Sequence, residues 1–435
     1  MDFDLLIING TIFSMTPGMP EMIQPGFLGI RDEEIAAFGP MTDLAEAGGA
    51  HLIIDGSGHL VMPGLVNTHT HAPMTLFRGL ADDLPLMTWL HDHIFPAEAK
   101  SVNPEMVYWC SKLAAAEMIL SGTTTVADGY FLEGHAAEAF IEAGIRSVAA
   151  QGVIDFPAPG VPDPAQNVAA AEEFVECWQS RNSLLVPAVF CHSPYTCSAD
   201  TLKRAKAMAR RNNVQCFVHL AETKSEVEQI RAQQGLTPVR YLESLGILDR
   251  DTVCVHCVWL EEEEIEILAR SGAKVSTCPQ SNMKLGSGIA PLKEMLAAGI
   301  PVGLGTDGPA SNNRLDLFFE MDICAKLHKV KNLDPTALPA ITVLQMATAG
   351  GARVLGLQDR IGSLFPGKKA DIIMLNLRQP NLQPFYHPDL LVYAASGADV
   401  STVIINGKLV MQDRKILTFD ADETMAMVRK IAENL

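Results

Sequence analysis

The sequence predicts an α/β protein, a (β/α)8 TIM barrel that carries a small β-sandwich domain built from both chain ends. Two features support this fold. Over about 250 residues, eight apolar strand candidates are each followed by a polar loop and a helical stretch rich in Ala, Glu, Leu and Met, which is typical of such a barrel. Short β runs broken by Asn, Asp and Gly lie on both sides of this region and indicate a separate sheet.

The small β domain is expected to be divided between the two ends of the chain. An apolar run before Asn9-Gly10 has a counterpart before Asn406-Gly407, and both have the sequence pattern of a strand followed by a turn. We therefore expect residues 1–60 to form its first part, residues 61–358 the barrel, and residues 359–435 its second part with a C-terminal helix.

Polar residues of the barrel region fall where the predicted strands end. The eight strand candidates end near His71, Asp128, Gln151, His192, His219, His256, Cys278 and Asp307. Helices are predicted over 104–121, 199–212, 224–234, 260–271, 290–298, 315–329 and 336–349. Because the carboxyl ends of barrel strands form the face that carries chemistry in this fold, the histidines and Asp307 are candidates for one site.

The composition of the chain limits which ligands and which cellular compartment are expected. The chain has 435 residues, 48% of them hydrophobic, and a formal net charge of −18, which argues against a nucleic-acid partner and favours a neutral or cationic small molecule. The nine cysteines are odd in number and scattered, which is typical of free thiols in a reducing compartment. There is no basic leader and no apolar stretch of about 18 residues, so we expect a cytoplasmic protein without a membrane partner.

The pair His69-Thr70-His71 follows a strand candidate and is the most informative motif of the chain. In an extended strand alternate side chains point the same way, so the two imidazoles are aimed at one point. Two neutral imidazoles suit a borderline cation such as zinc. The alternative is a pair of polar residues in a turn.

Two further residues can complete a metal site with this pair. His219 ends a strand candidate and supplies a third imidazole, with Glu222 three residues later as a base beside the metal. Asp307 follows a glycine-rich strand and supplies a carboxylate. A His/His/His/Asp set leaves a coordination position for water, as a catalytic site requires. The alternatives are a core histidine at position 219 and a helix cap at position 307.

His256 is predicted to act as a hydrogen-bond donor to the attacking water and to the developing oxyanion. Cys254 and Cys257 have the spacing of a zinc ribbon, but the sequence contains no second Cys-x-x-Cys. His91 and His93 repeat the His-x-His spacing within a predicted helix, where side chains two residues apart diverge, so neither is expected to bind the metal.

Several segments together resemble the amidohydrolase superfamily, and the resemblance covers nearly the whole chain. They are 63–71 (PGLVNTHTH), 77–90 (FRGLADDLPLMTWL), 191–195 (CHSPY), 219–222 (HLAE), 281–285 (SNMKL) and 305–308 (GTDG), with His256. The similarity is closest to the 5-methylthioadenosine/S-adenosylhomocysteine deaminase family, which is related to the triazine chlorohydrolases.

The resemblance implies the composition of the metal site. One divalent ion would be bound by His69, His71, His219 and Asp307, most often Zn²⁺, although N/O ligation also suits Fe²⁺ or Mn²⁺. A second ion is not expected, because His192 stands where relatives with two metals place a bridging lysine.

The resemblance also implies how a nucleoside substrate would be held. Glu98 would bind the ribose hydroxyls, Trp89 would pack against the ligand, and His192 would contact the base or the ribose. Glu98 could instead be an exposed charge at a helix start, and Trp89 a core aromatic residue. Relatives are commonly homo-oligomers.

This chain departs from some relatives that deaminate S-adenosylhomocysteine. They carry an arginine near the end of the third strand and another in the following loop, whereas this chain has Gln151 at the first place and no arginine or lysine in 152–168. We nevertheless expect Gln151 to contact the substrate. A homocysteine carboxylate would lack a counter-ion, so 5-methylthioadenosine or adenosine is favoured. Pro309 also replaces a residue that is small in most relatives.

The resemblance implies zinc-dependent hydrolytic deamination of a 6-aminopurine nucleoside to the inosine analogue and ammonia. Glu222, His256 and Asp307 would be catalytic, with Glu222 delivering a proton to ring N1 and Asp307 accepting one from water. One alternative is another deaminase or chlorohydrolase on the same scaffold, acting on guanine, cytosine, a pterin or an s-triazine. An alternative of another class is a non-catalytic assembly protein on this scaffold.

Overall fold

The computed structural model describes residues 3–18, 22–46 and 49–435. Its strands are β1 Phe3–Ile12, β2 Ile23–Arg31, β3 Glu34–Pro40, β4 Ala50–Asp55, β5 His59–Pro63, β6 Leu65–Thr70, β7 Thr123–Tyr130, β8 Arg146–Val153, β9 Leu185–Cys191, β10 Cys216–Leu220, β11 Thr252–His256, β12 Lys274–Thr277, β13 Val302–Leu304, β14 Ile372–Asn376, β15 Val400–Ile405, β16 Lys408–Gln412 and β17 Lys415–Ile416.

Helices occupy most of the intervals between the barrel strands. They are α1 Leu86–Thr88, α2 Phe95–Ser101, α3 Pro104–Leu120, α4 Glu133–Ala143, α5 Asn167–Trp178, α6 Ala199–Asn212, α7 Lys224–Gln234, α8 Pro238–Ser244, α9 Glu262–Ser271, α10 Pro279–Lys284, α11 Leu292–Ala297, α12 Pro309–Asn312, α13 Leu317–Asn332, α14 Ala340–Met346, α15 Ala349–Val354, α16 Asp389–Ala394 and α17 Ala421–Ala432. A π-helical turn, Trp89–Ile94, joins α1 to α2.

Strands β6 to β13 form the predicted parallel barrel. They pair in chain order as one sheet of eight strands, and the backbone N–H of Asp307 donates to the carbonyl of His69 at 3.0 Å, which brings the last strand end against the first. Every residue of β7, β10 and β11 is buried, because helices cover the outside of the barrel while side chains fill its interior. All eight predicted strands are confirmed.

One predicted helix differs from the structure. The helix expected over 336–349 is confined to Ala340–Met346, followed by a second short helix, Ala349–Val354. Pro339 precedes the first helix, where its missing N–H costs no helical hydrogen bond. Thr348 has φ −134° and ψ −101°, which are not helical values and therefore separate the two segments.

The β domain is built from both chain ends, as predicted. The nine strands found among its described residues belong to one mixed sheet with the path β17-β16-β15-β14-β5-β1-β2-β3, and β4 pairs with β1. The two ends of the chain meet where β5 pairs antiparallel with β14. The predicted C-terminal helix is α17, whose first turn is capped by the Asp420 carboxylate. Among the described residues, no helix is both long and apolar enough to cross a membrane.

A buried ion pair joins the barrel to the β domain. Arg146, at the start of β8, is 1% exposed, and its Nε and Nη2 donate to the two carboxylate oxygens of Asp371 at 2.7 and 3.0 Å. Nη2 also donates to Asn406 Oδ1 at 2.9 Å, and Nη1 to the carbonyl of Ser183 at 3.2 Å. The guanidinium therefore connects the amino-terminal face of the barrel to the sheet.

Replacing Arg146 by methionine should destabilise the fold strongly, because the buried Asp371 carboxylate loses its counter-ion. We expect the free energy of unfolding to fall by about 3–5 kcal/mol, measured by denaturant titration with circular dichroism. Arg211, which pairs with Glu172 on the surface, provides the control, and Arg211→Met should cost less than about 1 kcal/mol. Equal losses in the two variants would contradict the importance of the buried pair.

Candidate active site

Four buried side chains converge at the carboxyl ends of the barrel strands. His69, His219, His256 and Asp307 each offer one ligand atom, and these atoms all lie within 4.8 Å of one another. His69, His219 and His256 belong to β6, β10 and β11, while Asp307 follows β13. Residues distant in the sequence are therefore brought together by barrel closure, at the face where this fold places its chemistry.

The spacing within this cluster matches the donor spacing of a metal site. His69 Nε2 lies 3.4 Å from His219 Nε2 and 3.2 Å from Asp307 Oδ1. His71 Nε2 lies 3.4 Å from the same carboxylate oxygen. Ligands at the corners of a tetrahedron, each about 2.0–2.1 Å from a zinc ion, are about 3.3 Å apart. His69, His219 and Asp307, together with His71 or His256, therefore offer the chemistry and spacing that one divalent ion requires.

Hydrogen bonds orient two of the imidazoles. His71 Nδ1 is 2.6 Å from the carbonyl oxygen of Gly129, and His256 Nδ1 is 3.0 Å from Asn282 Oδ1. A carbonyl oxygen can only accept, so each Nδ1 carries the proton and a neutral ring keeps its Nε2 lone pair. Such outer partners are the usual means of fixing the tautomer of a metal-binding histidine.

The Asp307 carboxylate is held by its neighbours so that one oxygen remains available. Oδ2 accepts hydrogen bonds from Ser281 Oγ at 2.6 Å and Ser311 Oγ at 2.8 Å, while Oδ1 faces the histidines. The backbone of Asp307 has φ 58°, a conformation that costs about 1–3 kcal/mol when it is imposed on a functional residue. Thr70 Oγ1, which donates to the Asp307 carbonyl at 2.9 Å, helps to hold it.

Burial sets the protonation of the cluster. It lowers the pKa of His69 to about 3 and that of His219 well below its ordinary value, so both imidazoles are neutral at physiological pH. Burial acts to raise the pKa of Asp307, but the His69 hydrogen bond and the neighbouring imidazoles outweigh it, and the net pKa is well below normal. Neutral imidazoles beside an ionised carboxylate form the donor set that a divalent cation requires.

Glu222 lies beside the cluster with its carboxyl group facing His256. Its Oε2 is 3.8 Å from His256 Nε2, and its Oε1 accepts from Ser287 Oγ at 3.3 Å. Burial raises the pKa of the Glu222 carboxyl, an effect that His256 partly opposes. The group is thus placed to hold and transfer a proton close to the cluster.

Glu226 orients Glu222 and was not identified from the sequence. Its two carboxylate oxygens accept from the backbone N–H groups of Ala221 and Glu222, each at 2.8 Å. Thr223 caps helix α7 by accepting from the Glu226 N–H. Thr223 and Glu226 have the spacing of a capping box, so the sequence contained a signal for a helix start, although not for this contact.

A cavity opens above the cluster. Its lining includes His71, His219, Glu222, His256 and Asp307. The apolar part of its wall includes Met74, Leu86, Leu90, Ile94, Phe95 and Leu285. No lysine or arginine is among the described residues that line it, so a ligand here meets carboxylates, imidazoles and apolar side chains.

Besides Glu222, three of the predicted ligand contacts line this cavity. Glu98 is 8% exposed and accepts a hydrogen bond from Tyr130 Oη at 2.5 Å. Trp89 is buried, and its Nε1 donates to the Ala81 carbonyl at 3.1 Å. His192 has its ring 5.1 Å from that of His219, and burial lowers its pKa to about 4.

Gln151 does not line the cavity. Its Oε1 accepts from the Glu133 N–H at 3.1 Å and its Nε2 donates to the Gly152 carbonyl at 3.3 Å. The next two residues of β8, Gly152 and Val153, do line the cavity, whereas these hydrogen bonds hold the Gln151 side chain against the backbone. His91 and His93 lie exposed on the π-helical turn and are not part of the cluster.

Comparisons with known proteins agree with this architecture. The sequence model of the Amidohydrolase family matches residues 60–410. A 5-methylthioadenosine/S-adenosylhomocysteine deaminase of Syntrophobacter fumaroxidans is 50% identical over 99% of this chain and 98% of its own. A 5'-deoxyadenosine deaminase of Methanothermobacter thermautotrophicus is 44% identical over the full length of both chains. The crystal structure of a zinc-bound adenosine deaminase from Xanthomonas campestris superposes with a TM-score of 0.96 at 37% identity, covering 99% of this chain and 98% of its own. The chain is therefore a member of the Amidohydrolase family.

Proposed function

We propose that this protein catalyses the hydrolytic deamination of a 6-aminopurine nucleoside, giving the inosine analogue and ammonia. The observation that carries the proposal is one cavity lined by the metal-binding cluster, by Glu222 as a proton-transfer group and by Glu98 as a buried acceptor for hydroxyl groups. Relatives at 44–50% identity named as deaminases of adenosine derivatives support it.

Zn²⁺ is the proposed ion, held by His69, His71, His219 and Asp307. A bound divalent ion of this kind lowers the pKa of a water molecule to about 7 and so provides hydroxide at neutral pH. We assign His71 and not His256 to the ligand set because His71 Nε2 shares Asp307 Oδ1 with His69. His256 instead faces the Glu222 carboxyl. Fe²⁺ or Mn²⁺ would also suit these ligands.

The three catalytic groups divide the proton transfers. Glu222 donates a proton to ring N1, which makes C6 electrophilic, and its raised pKa favours the protonated form that this step requires. Asp307 accepts a proton from the attacking water, and the hydrogen bonds from Ser281 and Ser311 hold its carboxylate in place. His256 Nε2 steadies the attacking oxygen, and Glu222 recovers its proton from the hydroxyl group on C6 as the carbonyl of the inosine analogue forms. Ammonia then leaves with a proton from Asp307 or Glu222.

The nucleoside is proposed to be oriented by the cavity wall. Glu98 binds the ribose hydroxyls, His192 contacts the base or ribose, and Trp89 packs against the ligand. Gln151 is left out of this set because its side chain hydrogen-bonds to the backbone of Glu133 and Gly152.

The charge of the cavity favours a substrate with an uncharged 5'-substituent. Three carboxyl groups line it, those of Glu98, Glu222 and Asp307, whereas no described lining residue is a lysine or arginine. A homocysteine carboxylate would be desolvated without a cationic partner. We therefore place 5-methylthioadenosine, 5'-deoxyadenosine and adenosine ahead of S-adenosylhomocysteine.

We also propose a cytoplasmic location, which is supported by nine free cysteines, eight of them buried. A non-catalytic assembly role is disfavoured, because proteins that abandon catalysis on this scaffold have no need to retain a complete set of buried metal donors.

Removing the ion should abolish turnover. After treatment with dipicolinate and dialysis, ammonia release from adenosine should fall by more than roughly a hundredfold and return when Zn²⁺ is added. Metal content measured by mass spectrometry should follow activity at one ion per chain, while mock-dialysed protein keeps both. Full turnover by metal-free protein would contradict the proposed site.

Glu222→Gln should retain the metal and lose most of the catalytic rate, because the amide cannot donate and recover a proton. We expect kcat to fall by about 10²–10⁴-fold, with metal content unchanged. Glu228→Gln is the matched control, since Glu228 is exposed on α7, the helix that follows Glu222, and it should keep the wild-type kcat. A Glu222→Gln variant with normal turnover would discard the assigned role.

The substrate preference should follow the charge of the 5'-substituent. In steady-state assays of ammonia release, kcat/KM for 5-methylthioadenosine, 5'-deoxyadenosine and adenosine should exceed that for S-adenosylhomocysteine by about tenfold or more. Guanine and a chloro-triazine, assayed for ammonia and chloride, test the other chemistries of this scaffold. A clear preference for S-adenosylhomocysteine would refute the charge argument, and turnover of guanine or the triazine alone would refute the proposed reaction.

A further inference from the structure

Tyr130 makes a direct contact with the carboxyl group that is proposed to bind ribose. Its hydroxyl donates to Glu98 Oε1 at 2.5 Å. Tyr130 and Glu98 are 5% and 8% exposed, and both line the cavity above the metal-binding cluster. The phenol is therefore a fixed part of the surface that the nucleoside would meet.

The hydrogen bond joins a loop segment to the barrel. Glu98 lies on α2, within the long connection between β6 and α3, whereas Tyr130 is the last residue of β7. Trp89 in this connection hydrogen-bonds to Ala81 of the same connection, a contact that does not tie it to the barrel. Lys284 of α10 also ties the connection to the barrel through Asp82, but the hydrogen bond from the Tyr130 hydroxyl is the contact made by the Glu98 carboxyl itself.

The contact also decides which part of the carboxylate can bind a ligand. The Tyr130 hydroxyl occupies Oε1, so Oε2 is left to accept from the hydroxyl groups of a sugar. Burial raises the pKa of Glu98 to about 7, and the hydrogen bond from Tyr130 acts in the opposite direction. Tyr130 thereby favours the ionised form, the one that accepts hydrogen bonds without offering a competing donor.

The same strand end supports the metal-binding cluster. Gly129, immediately before Tyr130, accepts the hydrogen bond from His71 Nδ1, and Asp128 accepts from the N–H of Ala72 at 2.6 Å. Three consecutive residues of β7 therefore hold a metal-binding histidine, the residue after it and Glu98. A rigid strand in this position fixes the distance between the sugar and the reacting carbon of a bound nucleoside.

We propose that Tyr130 is a positioning residue for ribose selectivity, which acts by aiming the Glu98 carboxylate at the sugar hydroxyl groups. This inference rests on the proposed nucleoside deamination. Tyr130 takes no part in the chemical step. Removing its hydroxyl should therefore weaken binding of the ribose without changing the turnover of bound substrate.

The test compares Tyr130→Phe with the wild-type holoenzyme on adenosine and 2',3'-dideoxyadenosine. The variant removes one oxygen atom and keeps the packed ring. We expect the KM for adenosine to rise about tenfold, with kcat changed by less than about threefold and the KM for the dideoxy substrate unchanged. In a Glu98→Gln background, Tyr130→Phe should no longer alter the ratio of the two KM values.

Tyr241→Phe provides the matched control, because Tyr241 is similarly buried at 6% exposure but does not line the cavity; it should leave both KM values unchanged. Equal changes for both substrates, no change for either, or loss of metal or folded structure in Tyr130→Phe would each overturn the assignment. If the wild-type enzyme releases ammonia from neither nucleoside, the proposed function fails, which is a different result.

Discussion

The site depends on one buried negative charge, the carboxylate of Asp307. It lies away from bulk water, where an ion without partners would be very costly. Two serine hydroxyls satisfy Oδ2, and the remaining oxygen faces imidazoles that burial keeps neutral. A divalent cation between these groups would compensate the charge and complete the coordination. The strained backbone at Asp307, with φ 58°, is consistent with a residue whose position serves function.

Three functional residues of the site are each held by a partner from another element of the barrel. Gly129 holds His71, Asn282 holds His256, and Glu226 holds the backbone of Glu222. Catalysis by proton transfer requires such placement, because the reacting groups must be within hydrogen-bond reach when the substrate arrives. The barrel supplies this placement by ending its strands at one face, where β7, α7 and α10 contribute the supporting contacts.

The cavity is lined by residues at the ends of the barrel strands and by residues of the connection between β6 and α3. That segment contributes Trp89 and Glu98, together with much of the apolar wall. The strand ends carry the metal donors and proton-transfer groups that are expected for the chemistry shared across the family. The connection carries the residues that would distinguish one substrate from another. Function in barrel enzymes is commonly divided in this way between strand ends and loops.

The sequence by itself determined the barrel and the candidate metal donors. Alternating apolar strands and helices have a clear period, and His69, His219 and Asp307 follow their strands directly, so strand ends could be located without coordinates. Strand alternation does not, however, establish which way a side chain faces, and Gln151, expected at the ligand, instead hydrogen-bonds to the Glu133 backbone.

Only the tertiary structure decided the contacts between residues far apart in the chain. Glu98 and Tyr130 are 32 positions apart, and Arg146 and Asp371 are 225 apart. His256 was assigned from the sequence to the attacking water, yet it lies within the same 4.8 Å cluster as the metal donors. No local pattern encodes such pairs, because hydrophobic periodicity specifies elements and their faces, whereas pairing of polar groups depends on how the closed barrel brings those elements together.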